Sequence, residues 1–186
     1  MNWATFKTGI AEALSQFQFD AEIPKILCDS LIEGQKIFVA GNGGSASLAE
    51  HYVCDFSNIY QSELHGKNPR YKAISLCSNV ALITAIANDK SYSEIFRYQL
   101  ENLGTKGDRV ILISSSGNSE NIISAAEYAV EKSMLVIGIT GFDGGRLKEI
   151  AHYSAHVNCS KYEIVEVVHS LFGHFLSTSI KALGRP

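Results

Sequence analysis

KIFVAGNGGSASLAEH, residues 36–51, is the stretch on which the fold turns. A β-forming run, Ile37-Phe38-Val39-Ala40, enters a Gly-rich turn, Gly41-Asn42-Gly43-Gly44. Ser45 then opens a helical stretch with Ala46, Leu48, Ala49 and Glu50. A buried strand, a turn almost free of side chains and a Ser N-cap together form a cradle for an anion. Glycines let the backbone come close to a ligand, and the free N–H groups and helix dipole favour negative charge there. The spacing is neither GxxxxGK[ST] nor GxGxxG. Taken alone, it reads equally as the tight strand-to-helix turn of an ordinary α/β protein.

A second copy changes the weighing. Residues 109–126, RVILISSSGNSENIISAA, repeat the pattern: the apolar run Val110–Ile113, a loop, then a helical pattern through Ile122, Ile123, Ala125 and Ala126. This loop carries Ser114, Ser115, Ser116 and Ser119, four hydroxyls within six residues. A helix cap uses one or two of them. Neutral hydroxyl and amide donors suit a phosphate monoester that binds and leaves without a metal at the phosphate. A third unit, the strand 135–139 followed by TGFDGG at 140–145, repeats the architecture in a mainly structural role.

The rest of the chain supports one domain, residues 1–186. Apolar residues make up 46% and charged ones 19%, enough for a substantial core. A net charge of −3 gives no general attraction for nucleic acid or an anionic membrane. No apolar run approaches a membrane span, and the amino terminus lacks the plan of a secretory signal. Cys28, Cys54, Cys77 and Cys159 form no CxxC pair and read as reduced thiols of a cytoplasmic protein.

Spacings of three and four predict helices over 3–18 and 23–33, ahead of the first strand; they must pack on the sheet or on another subunit. Strands are expected near 72–76 and 154–158, and helices at 80–88, 92–103 and 162–183. Alternating strands and helices predict a five-stranded parallel sheet flanked on both faces, a flavodoxin-like three-layer α/β/α arrangement. Ligands in such sheets lie beyond the carboxyl ends of the strands, where both Gly/Ser loops sit. The polar stretch 55–70 reads as a loop and, equally, as a lid or a plain surface connection.

The candidate reactive groups lie on two helices. His51 and Asp55 are spaced i, i+4 and share a face. On the last helix, Glu166 and His174 are eight residues apart, about 80° around the axis, whereas His169 and His174 diverge by about 140°. A His and a carboxylate from each helix could surround a divalent metal, and zinc suits that donor set. Against this, a lone His in an apolar helix is commonly a hydrogen-bonded core residue, and His51–Asp55 is equally a surface pair. His65, His152 and His156 have no partner at useful spacing.

GNGGSASLAEH, AIAND at 85–89, ISSSGNS at 113–119, ITGFDGG at 139–145 and the final helix together resemble the sugar isomerase (SIS) domain proteins, and among them the phosphoheptose isomerases. That resemblance covers nearly the whole chain with the motifs in family order. It implies an aldose–ketose isomerase of a sugar phosphate, sedoheptulose 7-phosphate, feeding heptose synthesis for surface polysaccharide. It also implies zinc and a homotetramer with sites between subunits, to which the helices of 3–33 would contribute. Carried over by position, Ser114, Ser115, Ser116 and Ser119 hold the phosphate, while Asn42, Gly43, Gly44 and Ser45 line the site. Asp89 holds sugar hydroxyls. His51, Asp55, Glu166 and His174 fall on the metal positions, with Asp55 the base and His174 the acid. Glu166 also faces substrate.

Three positions depart from the family pattern: Asp55 stands for a glutamate, Glu166 for a glutamine and Ile59 for an arginine, whose substitute would be Arg70 or Lys67 from the longer loop. Asp reaches one methylene less far than Glu, and Glu for Gln adds a charge that strengthens a dication site. Some relatives with this fold are silent sugar-phosphate sensors or partners of a replication initiator. Retention of His51, an acid at 55 and His174 argues for chemistry.

Overall fold

The structure, a computed structural model, describes residues 2–59 and 70–183. Its elements in chain order are α1 (Trp3–Gln16), β1 (Gln18–Phe19), α2 (Ile23–Glu33), β2 (Lys36–Gly41), α3 (Gly44–Ser57) and β3 (Lys72–Ser75). There follow α4 (Val80–Asp89), a 3-10 turn (Tyr92–Glu94), α5 (Arg97–Leu103), β4 (Arg109–Ser114), α6 (Glu120–Glu131), β5 (Leu135–Thr140), α7 (Gly145–Ile150), β6 (Tyr153–His156) and α8 (Tyr162–Leu183).

The strands form one sheet in the order β1-β6-β5-β4-β2-β3. The five expected parallel strands are present, and a sixth, the two-residue β1, pairs antiparallel with β6. So short an edge strand carries no alternating pattern for the sequence to reveal. The single helix expected over 92–103 is divided in two. Its first turn is drawn away by Tyr92, which donates to Asn42 Oδ1 at 3.1 Å, and by Glu94, which pairs with Arg97 and accepts from Ser124 at 3.0 Å.

Period-two alternation sorts the strand residues cleanly. Ile37, Val39, Ile111, Ile113, Ile137 and Ile139 face α2, α3 and α8. Phe38, Ala40, Val110, Leu112 and Val136 face α4, α5, α6 and α7. Burial on both faces explains why these strands read as continuous apolar runs. The first helix packs on the last: Ala13 of α1 joins Ile164, Val165 and Val168 of α8, with Phe6 and Ile10 against them.

The loop expected from residue 55 begins later, because α3 continues to Ser57, which keeps Asp55 on the helix with His51. Of the stretch 55–70 read as a loop or lid, residues 60–69, with His65 and Lys67, lie outside the described residues. Ile59 is 1% exposed and packs in the core with Phe56 and Tyr71.

Candidate active site

At the carboxyl end of β2 the chain turns through Gly43, whose φ of +54° only glycine adopts without strain. Gly43 is therefore the cap of α3, not Ser45 as expected. Ser45 lies inside the first turn, and its buried hydroxyl lines a cavity. A capping serine has an extended backbone outside the helix, whereas Ser45 is already the second residue of the helix that starts at Gly44.

The cavity, about 110 Å³, is lined by Asn42, Ser45, Ile113, Ser114, Ser115, Ser116, Ser119, Tyr162 and Glu166. The serine loop is wired so that its hydroxyls retain protons to donate. Ser114 Oγ accepts from Gly117 N at 3.1 Å and Ser116 Oγ from Asn118 N at 3.2 Å, so each O–H remains available. Ser119 occupies the cap position of α6, yet its side chain makes no cap hydrogen bond. The third Gly-rich loop buttresses this one: Gly141 N donates to Ser115 O at 3.0 Å, Leu147 N to Gly117 O at 2.9 Å and Arg146 N to Asn118 Oδ1 at 3.0 Å.

One member of this framework escaped the sequence reading. Asn121, 2% exposed, exchanges two amide hydrogen bonds with Asn42, each 2.8 Å, tying the glycine loop to the serine loop. Its only sequence signal is a polar residue on the otherwise apolar side of α6, where Ile122, Ala125 and Ala126 pack. Asp89 ends α4 as an exposed residue, accepting from Asn88 Nδ2 at 2.9 Å, three positions before the Tyr92 that reaches Asn42.

Farther along the same helices sits a second group. Asp55 Oδ1 is 3.6 Å from His51 Nε2, and Asp55 Oδ2 is 3.3 Å from His174 Nδ1. The two imidazoles meet edge to face, with centroids 4.8 Å apart. Donor atoms of His51, Asp55 and His174 all lie within 4.8 Å of one another. Two imidazole nitrogens and a carboxylate oxygen, partly exposed, fit a divalent ion that keeps positions open for substrate. Glu166 stands apart from this trio, two turns up α8, with its carboxylate against Gly44.

Close approach of α3 and α8 creates the trio. Tyr52 Oη donates to His169 O at 2.5 Å, and its ring lies on Gly173, where an added Cβ would stand 2.6 Å from ring carbons. Burial pushes the Tyr52 hydroxyl well above its ordinary pKa, so it stays a donor. His169 turns inward as its helical angle requires; burial pushes its imidazole down to about 4, and neither ring nitrogen has a hydrogen-bond partner among the described residues.

An SIS domain model matches residues 12–141. The chain is 38% identical over 177 residues to the phosphoheptose isomerase of Shewanella sp. (strain ANA-3), covering 94% of this chain and 87% of that one. With the phosphoheptose isomerase of Helicobacter pylori it shares 36% over 173 residues, 93% and 85% of the two chains. The chain belongs to the phosphoheptose isomerase family. Among solved phosphoheptose isomerases, that of Neisseria gonorrhoeae superposes with a TM-score of 0.83 at 27% identity, covering 97% of this chain and 95% of that one. The Francisella tularensis structure gives 0.79 at 32%, with coverage of 96% and 92%. Against that family background, Asp55 lies with both histidines despite its shorter side chain, and Ile59 is a core residue.

Proposed function

We propose that the protein isomerises sedoheptulose 7-phosphate to its aldose, supplying heptose for surface polysaccharide. The observation that carries this reading is the spacing of the two groups along α3 and α8, which run side by side in the same direction. Gly44 adjoins Glu166 at the hydroxyl-rich cavity, and His51 adjoins His174 seven and eight residues farther on. At 1.5 Å per residue the separation is about 10–12 Å. An extended seven-carbon chain joins a phosphate at one end to a carbonyl at the other; a triose phosphate falls short.

The cavity matches the phosphate alone, being well below the ~300–1,000 Å³ of a site that encloses a small molecule. Its serine hydroxyls and the amides of the glycine turn anchor the ester, and that remote binding orients the reacting carbons. Asp55 takes the proton from C1 while His174 protonates the C2 oxygen, giving the enediol. Asp55 returns the proton to C2 while His174, left neutral by the first step, takes the proton from O1, so C1 becomes the aldehyde and both groups are restored. His51, Asp55 and His174 would hold a zinc ion, which when bound would polarise the two oxygens; Glu166, the fourth expected ligand, lies two turns from that trio.

The rest of the site comes from a second copy. His174 is exposed between Leu171 and Phe175, themselves 46% and 44% exposed on α8, and Phe19, its ring 5.2 Å from that of Phe175, extends the apolar surface. A homotetramer with sites between subunits, α1 and α2 contributing, covers this surface. All four cysteines are free and no helix among the described residues is long and apolar enough to cross a membrane, in keeping with a cytoplasmic enzyme.

A coupled assay on sedoheptulose 7-phosphate, with metal content and sedimentation measured on the same sample, tests the reading. Turnover, one divalent ion per chain and a tetramer are expected. Retained sugar-phosphate binding with neither turnover nor metal would replace it with a silent receptor.

A further inference from the structure

Asn42 is the only residue of the turn 41–44 that carries a side chain, and it lines the serine cavity. A carboxamide has two carbonyl lone pairs and two N–H groups. Asn121 takes one of each: its Nδ2 donates to Asn42 Oδ1 and its Oδ1 accepts from Asn42 Nδ2, both at 2.8 Å. Two amides paired in this way bond equally well when both are turned over. The pair alone therefore does not decide which end of Asn42 is left for a ligand. Tyr92 decides it. Its Oη donates to Asn42 Oδ1 at 3.1 Å and takes the second lone pair. On the Asn42 side chain, one Nδ2–H is then left without a partner among the described residues.

The phenol is anchored from behind. Tyr92 opens the 3-10 turn Tyr92–Glu94, and Glu94 accepts from Ser124 of α6 at 3.0 Å and pairs with Arg97 of α5. The turn is thus fixed to the same helix that Ser119 caps. The ring is 58% exposed, so its hydroxyl can be removed without opening the core.

We propose that Tyr92 is a positioning residue for the substrate phosphate: by occupying the Asn42 carbonyl it leaves that amide able to act on a ligand only as a donor. A phosphate monoester presents three terminal acceptor oxygens, and near neutral pH at most one of them carries a proton. The free Nδ2–H joins the serine hydroxyls in donating to them. Turned over, Asn42 would set a carbonyl lone pair against negatively charged oxygens, which repel it. Tyr92 thereby selects for an anion from outside the cavity, through a side chain that both turned-over states of the amide pair would otherwise share.

This inference rests on the cavity being the phosphate site, and the test keeps the two apart. Titration calorimetry with inorganic phosphate, and steady-state kinetics on sedoheptulose 7-phosphate, compare the wild type with Tyr92→Phe, Asn42→Ala, the double variant and Ser116→Ala at matched metal content. Tyr92→Phe keeps the ring and removes only the hydroxyl. Phosphate affinity should fall about three- to tenfold and KM should rise, while kcat changes little. In the Asn42→Ala background the same substitution should cost nothing further, because Tyr92 acts through Asn42. In ¹⁵N NMR spectra, inorganic phosphate should move the Asn42 side-chain NH₂ signal in the wild type and move it less in Tyr92→Phe. Phosphate affinity unchanged in Tyr92→Phe would overturn the proposal. So would an equal loss with and without Asn42, which would give Tyr92 a role of its own. Phosphate binding undiminished in Ser116→Ala would instead remove the phosphate reading of the cavity, and the proposal with it.

Discussion

Replacing Gly173 by Ala tests how the reactive trio is assembled. The Cβ would run into the Tyr52 ring, with Cε1 nearest and Cδ1 and Cζ at 2.6 Å, all well inside ordinary van der Waals contact. Tyr52 is 2% exposed, and its hydroxyl is fixed on His169 O, so the ring cannot swing aside. The strain is relieved only by parting α3 from α8. Overpacking of this kind costs about 1–3 kcal/mol, while Ala gains about 1 kcal/mol over Gly in a helix interior. The net is a destabilisation of about 0–2 kcal/mol. The larger effect falls on chemistry, because His174 is the next residue and Asp55 the next turn of the facing helix. Displacing catalytic groups by ~1 Å costs on the order of 10²-fold in rate. Urea denaturation, kcat/KM on sedoheptulose 7-phosphate and zinc affinity should show a small stability loss, a large activity loss and weaker metal binding. Adding Tyr52→Leu should recover part of the activity, since the two substitutions meet in one contact. A Gly173→Ala protein that is more stable by ~1 kcal/mol, as propensity alone dictates, with unchanged turnover would refute the reasoning.

Three further outcomes follow from the same geometry. His174→Ala should lower kcat by about 10²–10⁴-fold with sugar-phosphate binding retained, read by steady-state kinetics alongside direct titration; undiminished turnover would take His174 out of the mechanism. Asn121→Leu should raise KM for the sugar phosphate several-fold while kcat changes little, because the amide pair that fixes Asn42 against the serine loop is lost. Buried His169 binds its proton only near pH 4, against about 6.5 when unfolded, so the unfolded chain takes up protons first as pH falls. Stability present above pH 6.5 should therefore drain away between pH 6.5 and about 4, by on the order of 3 kcal/mol. Urea midpoints across that range should show a shallower acid loss in His169→Leu than in the wild type.

Period and punctuation, both local, were legible in the chain. Runs such as Val110–Ile113 between turn residues marked the five parallel strands, and 3.6-residue spacing gave α8 its limits at 162 and 183. The two Gly/Ser loops and the histidine–carboxylate pairs were visible as residue types at set spacings. Three-dimensional approach is not written in spacing. That His174 meets Asp55 while Glu166 lies against Gly44 depends on how close α3 and α8 come, which Gly173 and Tyr52 decide. Asn121 acquired its role only when β2 and β4 became neighbours and brought two loops together. Sequence thus determined which elements form and which donors they carry. The packing of one helix on another determined which donors share a pocket, because contact between residues 120 apart is settled by side-chain volume at a crossing.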